Sequence, residues 1–115
     1  MRERLPDRRA SEVIEFNHIE TNGNKSPFTS TVGFYPDGRI GEMFIYAQKS
    51  DSAIGLICHD AAVLISIALQ CGATIDELRA SVARTAMDGG KPQSIIGTAL
   101  DILAVREAED GENPC

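Results

Sequence analysis

The side chains able to do chemistry in this 115-residue chain are few and scattered. His59 and Asp60 are adjacent inside a long apolar stretch. On a helix, neighbours point about 100° apart, so the two cannot act on each other as a dyad. Asp60 is expected instead to be a buried anchor, accepting hydrogen bonds from an arginine or from backbone amides. Cys58 lies in the same stretch with no activating partner at a useful spacing. Ser66 is expected to bond back to a carbonyl one turn earlier. Asp37, Arg39 and Glu42 put three charges at and just after a tight turn. Arg4, Arg8 and Arg9 crowd the N-terminal arm, where guanidinium forks suit phosphate or carboxylate. Gly89-Gly90-Lys91 precedes a helix start, a generic anion setting, but it lacks the full phosphate-loop spacing and no strand leads into it.

Other chemistry finds no footing. Cys58, Cys71 and Cys115 are odd in number and form no C-x-x-C pair, and His18 and His59 do not complete a zinc set around them. No hydrolase elbow or dinucleotide fingerprint occurs. Aromatic residues make up 5% with no Trp, a poor basis for stacking single-stranded bases. The formal net charge of −6 does not suit a chain that blankets nucleic acid or an anionic membrane. The expectation is therefore of no catalytic residue, no metal and no cofactor.

The elements that must position these residues read as one α+β domain. Residues 1–10 form a basic polar arm, residues 11–106 the domain, and residues 107–115 an acidic tail expected to be disordered. SEVIEFNHIETN from Ser11 predicts a first strand with an uncertain inward face. A turn at Asn22-Gly23-Asn24 leads to a second strand from Pro27, with Phe28, Ser30, Val32 and Phe34 on one face. Tyr35-Pro36-Asp37-Gly38-Arg39 predicts a tight hairpin into a third strand, where Met43, Ile45 and Ala47 share a face. This is a three-stranded antiparallel meander.

Three helices are predicted to follow and to pack on one face of that sheet. The first, over about 53–71, is apolar on nearly every side apart from His59, Asp60, Ser66 and Gln70, and is expected to be the central core helix. Ser50-Asp51-Ser52 caps its start and Gly72 its end. Its polar interruptions and limited apolar run speak against a membrane span. Thr74-Ile75-Asp76-Glu77 is a capping box for a second helix, with Ile75, Leu78, Val82 and Met87 on its inner stripe. After a loop at 88–92, Ser94 caps a third, with Ile95, Ile96, Ala99, Leu100 and Leu103 inward. The charged N-terminus with no apolar stretch behind it sets the expectation of a cytoplasmic protein.

Several motifs in order point further. They are Arg4-Leu5-Pro6-Asp7-Arg8-Arg9; Val32-Gly33 with Tyr35-Pro36-Asp37-Gly38-Arg39 and Glu42-Met43-Phe44-Ile45; Asp60-Ala61-Ala62 running into Ile65-Ser66-Ile67-Ala68-Leu69-Gln70 and Gly72; and Ile96-Gly97-Thr98-Ala99-Leu100-Asp101. Together, over residues 4–103, they resemble the TSCPD domain. That domain occurs at the C-terminal end of adenosylcobalamin-dependent ribonucleotide reductases and as short stand-alone proteins. The reductase barrel, its radical and active-site cysteines and its cobalamin pocket have no counterpart here. Where the reductase tail tends to carry a cysteine pair, this chain has Cys115 alone.

The resemblance implies a non-catalytic accessory or regulatory domain that binds a protein or nucleotide partner. The binding group is taken as Arg4, Arg8, Arg9, Asp37, Arg39 and Glu42, and Asp60, Ser66, Gln70 and Gly72 are taken as structural. The partner is expected to be a ribonucleotide reductase or another enzyme, with a nucleotide or phosphate as a further ligand. Two alternatives stand beside it: a stand-alone inhibitor or regulator of another protein such as a nucleic-acid enzyme, and a nucleic-acid binder using the arginine arm. A homodimer is a further expectation, because so apolar a helix needs more cover than a small sheet provides.

Overall fold

The computed structural model describes residues 1–19, 23–47, 53–82 and 94–112. Three strands, β1 (Ser11–Ile19), β2 (Lys25–Phe34) and β3 (Ile40–Ala47), precede three helices, α1 (Ala53–Gln70), α2 (Ile75–Ser81) and α3 (Ile95–Glu112). The sheet is an antiparallel meander in the order β1-β2-β3. β1 pairs with β2 from Ser11 opposite Gly33 to Ile19 opposite Lys25. β2 pairs with β3 from Phe28 opposite Ala47 to Phe34 opposite Ile40, with one irregularity at Gly33/Phe34.

Alternation decides which face is covered. Phe28, Ser30, Val32 and Phe34 of β2 are buried, and so are Met43 and Ile45 of β3; Ile40, of opposite parity, is buried where the pairing is irregular. The inward face of β1, open in the sequence, is the one bearing Phe16 and His18, while Val13 points to solvent. Phe16 stacks on Phe28 across the strand pair at 5.7 Å. α1 lies against β3, and α3 reaches β1 through a 2.8 Å hydrogen bond between His18 Nδ1 and Thr98 Oγ1. α2 packs on α3, where Arg79 Nε meets Asp101 Oδ1 at 2.9 Å, and sinks Ile75 into the shared core.

The local punctuation follows from side-chain chemistry. Tyr35 N–H donates to the Arg39 carbonyl at 2.8 Å and Gly38 N–H to the Tyr35 carbonyl at 2.9 Å, with Gly38 at φ 93°. Only glycine takes that conformation without strain. Gly72, at φ 108°, ends α1. Thr74 and Glu77 form the reciprocal capping box of α2. The Ser94 hydroxyl accepts from Gly97 N–H at 2.9 Å at the head of α3. The Ser50-Asp51-Ser52 cap, the Asn22 turn position, Met87 and the loop at 88–92 lie outside the described residues.

Three expectations are corrected. α1 is not buried all round: Gly55, Cys58, Ala62, Ile65, Ser66, Leu69 and Gln70 face inward, while Ile57 and Leu64 are 66% and 68% exposed. Strands about 4.8 Å apart make a three-stranded sheet too narrow to wrap a helix about 10 Å thick and also seat α3. Asp60 is exposed, so it is not a buried anchor. It falls on the side of the helix turned away from the sheet. The acidic tail does not begin at 107, because α3 continues to Glu112. Its Ala, Arg and Glu residues are strong helix formers, and the Glu107 carboxylate accepts the Ile40 N–H at 2.9 Å.

The joint between α1 and β3 is made of two polar side chains. Ser66 Oγ accepts the Met43 N–H at 2.9 Å and lies 3.0 Å from the Met43 carbonyl and 2.9 Å from the Ala62 carbonyl. Gln70 Nε2 donates to the Gly41 carbonyl at 3.0 Å. β2 occupies the other edge of β3, so these groups are the ones a fourth strand would have used. The buried Ser30 hydroxyl on the central strand has no hydrogen-bond partner among the described residues. The two serines should therefore respond oppositely to truncation. Ser66→Ala strands the Met43 amide and should cost about 1–3 kcal/mol, whereas Ser30→Ala should be neutral or stabilising by up to about 1 kcal/mol. Urea denaturation of both variants checks the pair.

Candidate functional site

The N-terminal arm does not trail into solvent. Its backbone is held at both ends, by Glu3 N–H donating to the Gln70 carbonyl at 2.6 Å and by Phe34 N–H donating to the Ala10 carbonyl at 3.0 Å. Leu5, half-buried, lies over Gly41. A Cβ at Gly41 would stand 2.6 Å from the Tyr35 ring and 2.9 Å from Leu5, so only glycine lets the arm sit this close to β3. Arg2 Nε donates to Gln70 Oε1 at 2.7 Å, and the Tyr35 hydroxyl donates to the Glu3 carbonyl. One residue, Gln70, thus ties the end of α1 to both β3 and the arm.

Two charged clusters form along this strap. At the hairpin, Asp37 accepts the Arg39 N–H at 3.0 Å and the Arg39 Nε at 2.7 Å. Arg39 also reaches Glu3 at 3.2 Å, and its guanidinium lies 4.6 Å over the Tyr35 ring. The Arg39 amide and then its guanidinium hold the Asp37 carboxyl below the usual carboxylate range. Asp37 and then Glu3 raise Arg39 in turn. Burial, reinforced by the charge of Glu3, pushes the Tyr35 phenol up. In the second cluster Arg9 pairs with Glu42, and its Nη1 donates to the Pro6 carbonyl at 2.6 Å. The hydrogen bond to Glu42 raises Arg9.

Four of the six expected binding residues are thus paired with one another or with the arm: Asp37 with Arg39, and Arg9 with Glu42. Arg4 and Arg8 are exposed. Arg8 and Arg9 line, with Ala10, Phe34, Tyr35 and Pro36, an open recess of about 290 Å³. No sequence signal marked Arg2, Glu3, Arg106 or Glu107 as fastenings. Their partners, Gln70, Arg39, Glu12 and Ile40, lie between 36 and 94 residues away, beyond any spacing rule.

The remaining candidates carry little chemistry. Burial raises the Cys58 thiol, which disfavours the nucleophilic thiolate. Cys71 is exposed. Among the described residues no group of three His, Cys, Asp or Glu could hold a metal ion. Of the two histidines, His18 is buried against Thr98, and His59 borders a recess of about 250 Å³.

With the fold and this strap in view, the chain is defined as a small α+β domain whose charged residues serve first as fastenings. Its sequence is similar to part of much larger enzymes. It is 43% identical over 75 residues to a vitamin B12-dependent ribonucleotide reductase of Rhodopirellula baltica, a match covering 65% of this chain and 7% of that protein. Reductases bearing the same name from Bradyrhizobium diazoefficiens and Agrobacterium fabrum are 34% and 36% identical over 76 residues, 66% of this chain and 6% of theirs. The chain therefore corresponds to a small fraction of the curated relatives it matches. No protein-family profile and no solved structure matches it.

Glu42 reaches Arg9 by lying across Gly33 on the neighbouring strand. A Cβ at Gly33 would come within 2.3 Å of Glu42 Oε2 and 2.7 Å of its Cγ. Gly33→Ala is expected to destabilise the fold by about 1–3 kcal/mol through this overpacking. It should also release the arm, seen as faster tryptic cleavage after Arg4, Arg8 and Arg9.

Proposed function

We propose that this chain is a non-catalytic accessory domain related to the C-terminal part of vitamin B12-dependent ribonucleotide reductases, working in the cytoplasm by binding a protein or nucleotide partner. The observation behind this is the 43% identity over 75 residues, confined to 7% of the reductase. Such a segment is too short to hold a radical site, a dithiol couple and a cofactor pocket together. The thiols fit the same view: Cys58 is buried, and Cys71 is exposed.

The surface offered to the partner is the arm side, where Arg8 borders the recess beside Tyr35 and Pro36. A guanidinium there suits a carboxylate or a phosphate. Arg9 and Arg39 already have carboxylate partners, so a nucleic-acid backbone would have to compete with Glu42 and Asp37 for them. That supports a discrete contact over a tracking groove.

The test has two parts. The purified chain, given adenosylcobalamin, a dithiol and a ribonucleoside triphosphate, should form no deoxyribonucleotide. Titrated calorimetrically into the Rhodopirellula reductase lacking its matching segment, it should bind, and Arg8→Ala should weaken that binding and flatten its salt dependence, as for a charge at an interface rim. Turnover by the chain alone, or absence of binding to the reductase, would defeat the proposal.

A further inference from the structure

The solvent side of α1 carries a pattern independent of the arm. Ala53, Ile57, Asp60, Leu64, Ile67 and Cys71 follow one another at steps of four, three, four, three and four residues. All six are exposed. The helical backbone continues to the last of them, with Cys71 N–H donating to the Ile67 carbonyl at 3.0 Å. Alternating three and four is the spacing of a two-helix seam, in which a straight stripe of side chains meets the same stripe on a partner. The stripe lies opposite the face that grips β3, so both can be engaged together.

We propose that this stripe is the contact surface of a homodimer, in which α1 packs antiparallel against α1 of a second copy. Area, symmetry and charge support that occupant. Ile54, Leu56, Ile57, Val63, Leu64 and Ile67 are between 37% and 68% exposed. That leaves roughly 600 Å² of apolar side chain open per copy, the upper end for a monomer, and a two-fold pair can remove up to about 1,200 Å², within reach of a specific interface.

The stripe is also self-complementary, as a two-fold contact requires. With the axis at the level of Ala62, Ile57 meets the second copy's Ile67, Asp60 meets its Leu64, and Ala53 meets its Cys71. Parallel packing would instead set Asp60 directly against Asp60. The antiparallel pair moves the two carboxylates about 6 Å apart along the axis at 1.5 Å per residue. A bilayer suits the stripe less well, because Asp60 sits at its middle.

Sedimentation equilibrium of the full chain tests this. The expected mass is twice the 12.4 kDa of one copy. Leu64→Glu and Ile57→Lys should each return it to a single copy with unchanged helical circular dichroism, since both side chains are exposed in the monomer. Asp60→Leu should tighten the dimer at least about tenfold by removing the charge from the seam. For orientation, copper-phenanthroline oxidation in a Cys115→Ser background should link copies only when Ala53→Cys is also present. A single-copy mass up to millimolar concentration overturns the proposal, whether or not the monomer then binds phosphatidylcholine vesicles. A dimer indifferent to both Leu64→Glu and Ile57→Lys overturns the α1 interface. Linkage through Cys71 in the absence of Ala53→Cys overturns the antiparallel arrangement.

Discussion

The free edge of β3 is closed by two side chains of α1. Ser66 meets both backbone groups of Met43, and Gln70 takes the Gly41 carbonyl. An unpaired edge strand invites another chain to pair with it. A helix usually covers such an edge with apolar side chains, which leave the amides unmet. Here hydroxyl and amide groups stand in for a neighbouring strand, and they do so at fixed places. The helix can neither slide nor rotate on β3 without stranding a buried polar group, which costs more than the bond itself contributes.

Fixing that rotation has consequences on both sides of α1. Inward, Gly55, Cys58 and Ala62 are small enough for the helix to approach the sheet closely, with Ile65 and Leu69 filling the space below. Outward, the same rotation turns Ile57, Leu64 and Ile67 to solvent. A helix chosen only for hydrophobicity would bury its largest side chains and expose its smallest. α1 does the reverse in part, and large exposed apolar faces of this kind mark contact surfaces.

The arm shows how far a charged segment can be absorbed by its own fold. Four arginines among the first nine residues suggest a surface for anions. Arg2 instead fastens to Gln70 and Arg9 to Glu42, while Arg39 of the hairpin closes on Glu3. Exposed ion pairs contribute little singly, but these are joined to backbone hydrogen bonds and to Leu5 over Gly41. The arm therefore behaves as part of the domain. Gln70 lies where α1, β3 and the arm meet, so the arm and the edge joint depend on one another.

The sequence by itself determined the order and kind of the elements. The Asp37-Gly38 hairpin, the Thr74–Glu77 capping box, the Gly72 stop and the alternation of Phe28, Ser30, Val32 and Phe34 are local signals, set by backbone preference and by a side-chain period of two. They need no knowledge of distant residues. The reversal of Asp60 from buried anchor to exposed position, the pairing of Arg9 with Glu42 across Gly33 and the extension of α3 through Glu107 were decided by tertiary structure. Each depends on which face of an element the sheet covers, or on a contact between residues far apart in the chain. A helix apolar on nearly every side is the extreme case, because no periodicity distinguishes its inner face from its outer one. Only the width of the sheet, and the two polar groups that Met43 and Gly41 required, settled which way α1 turned.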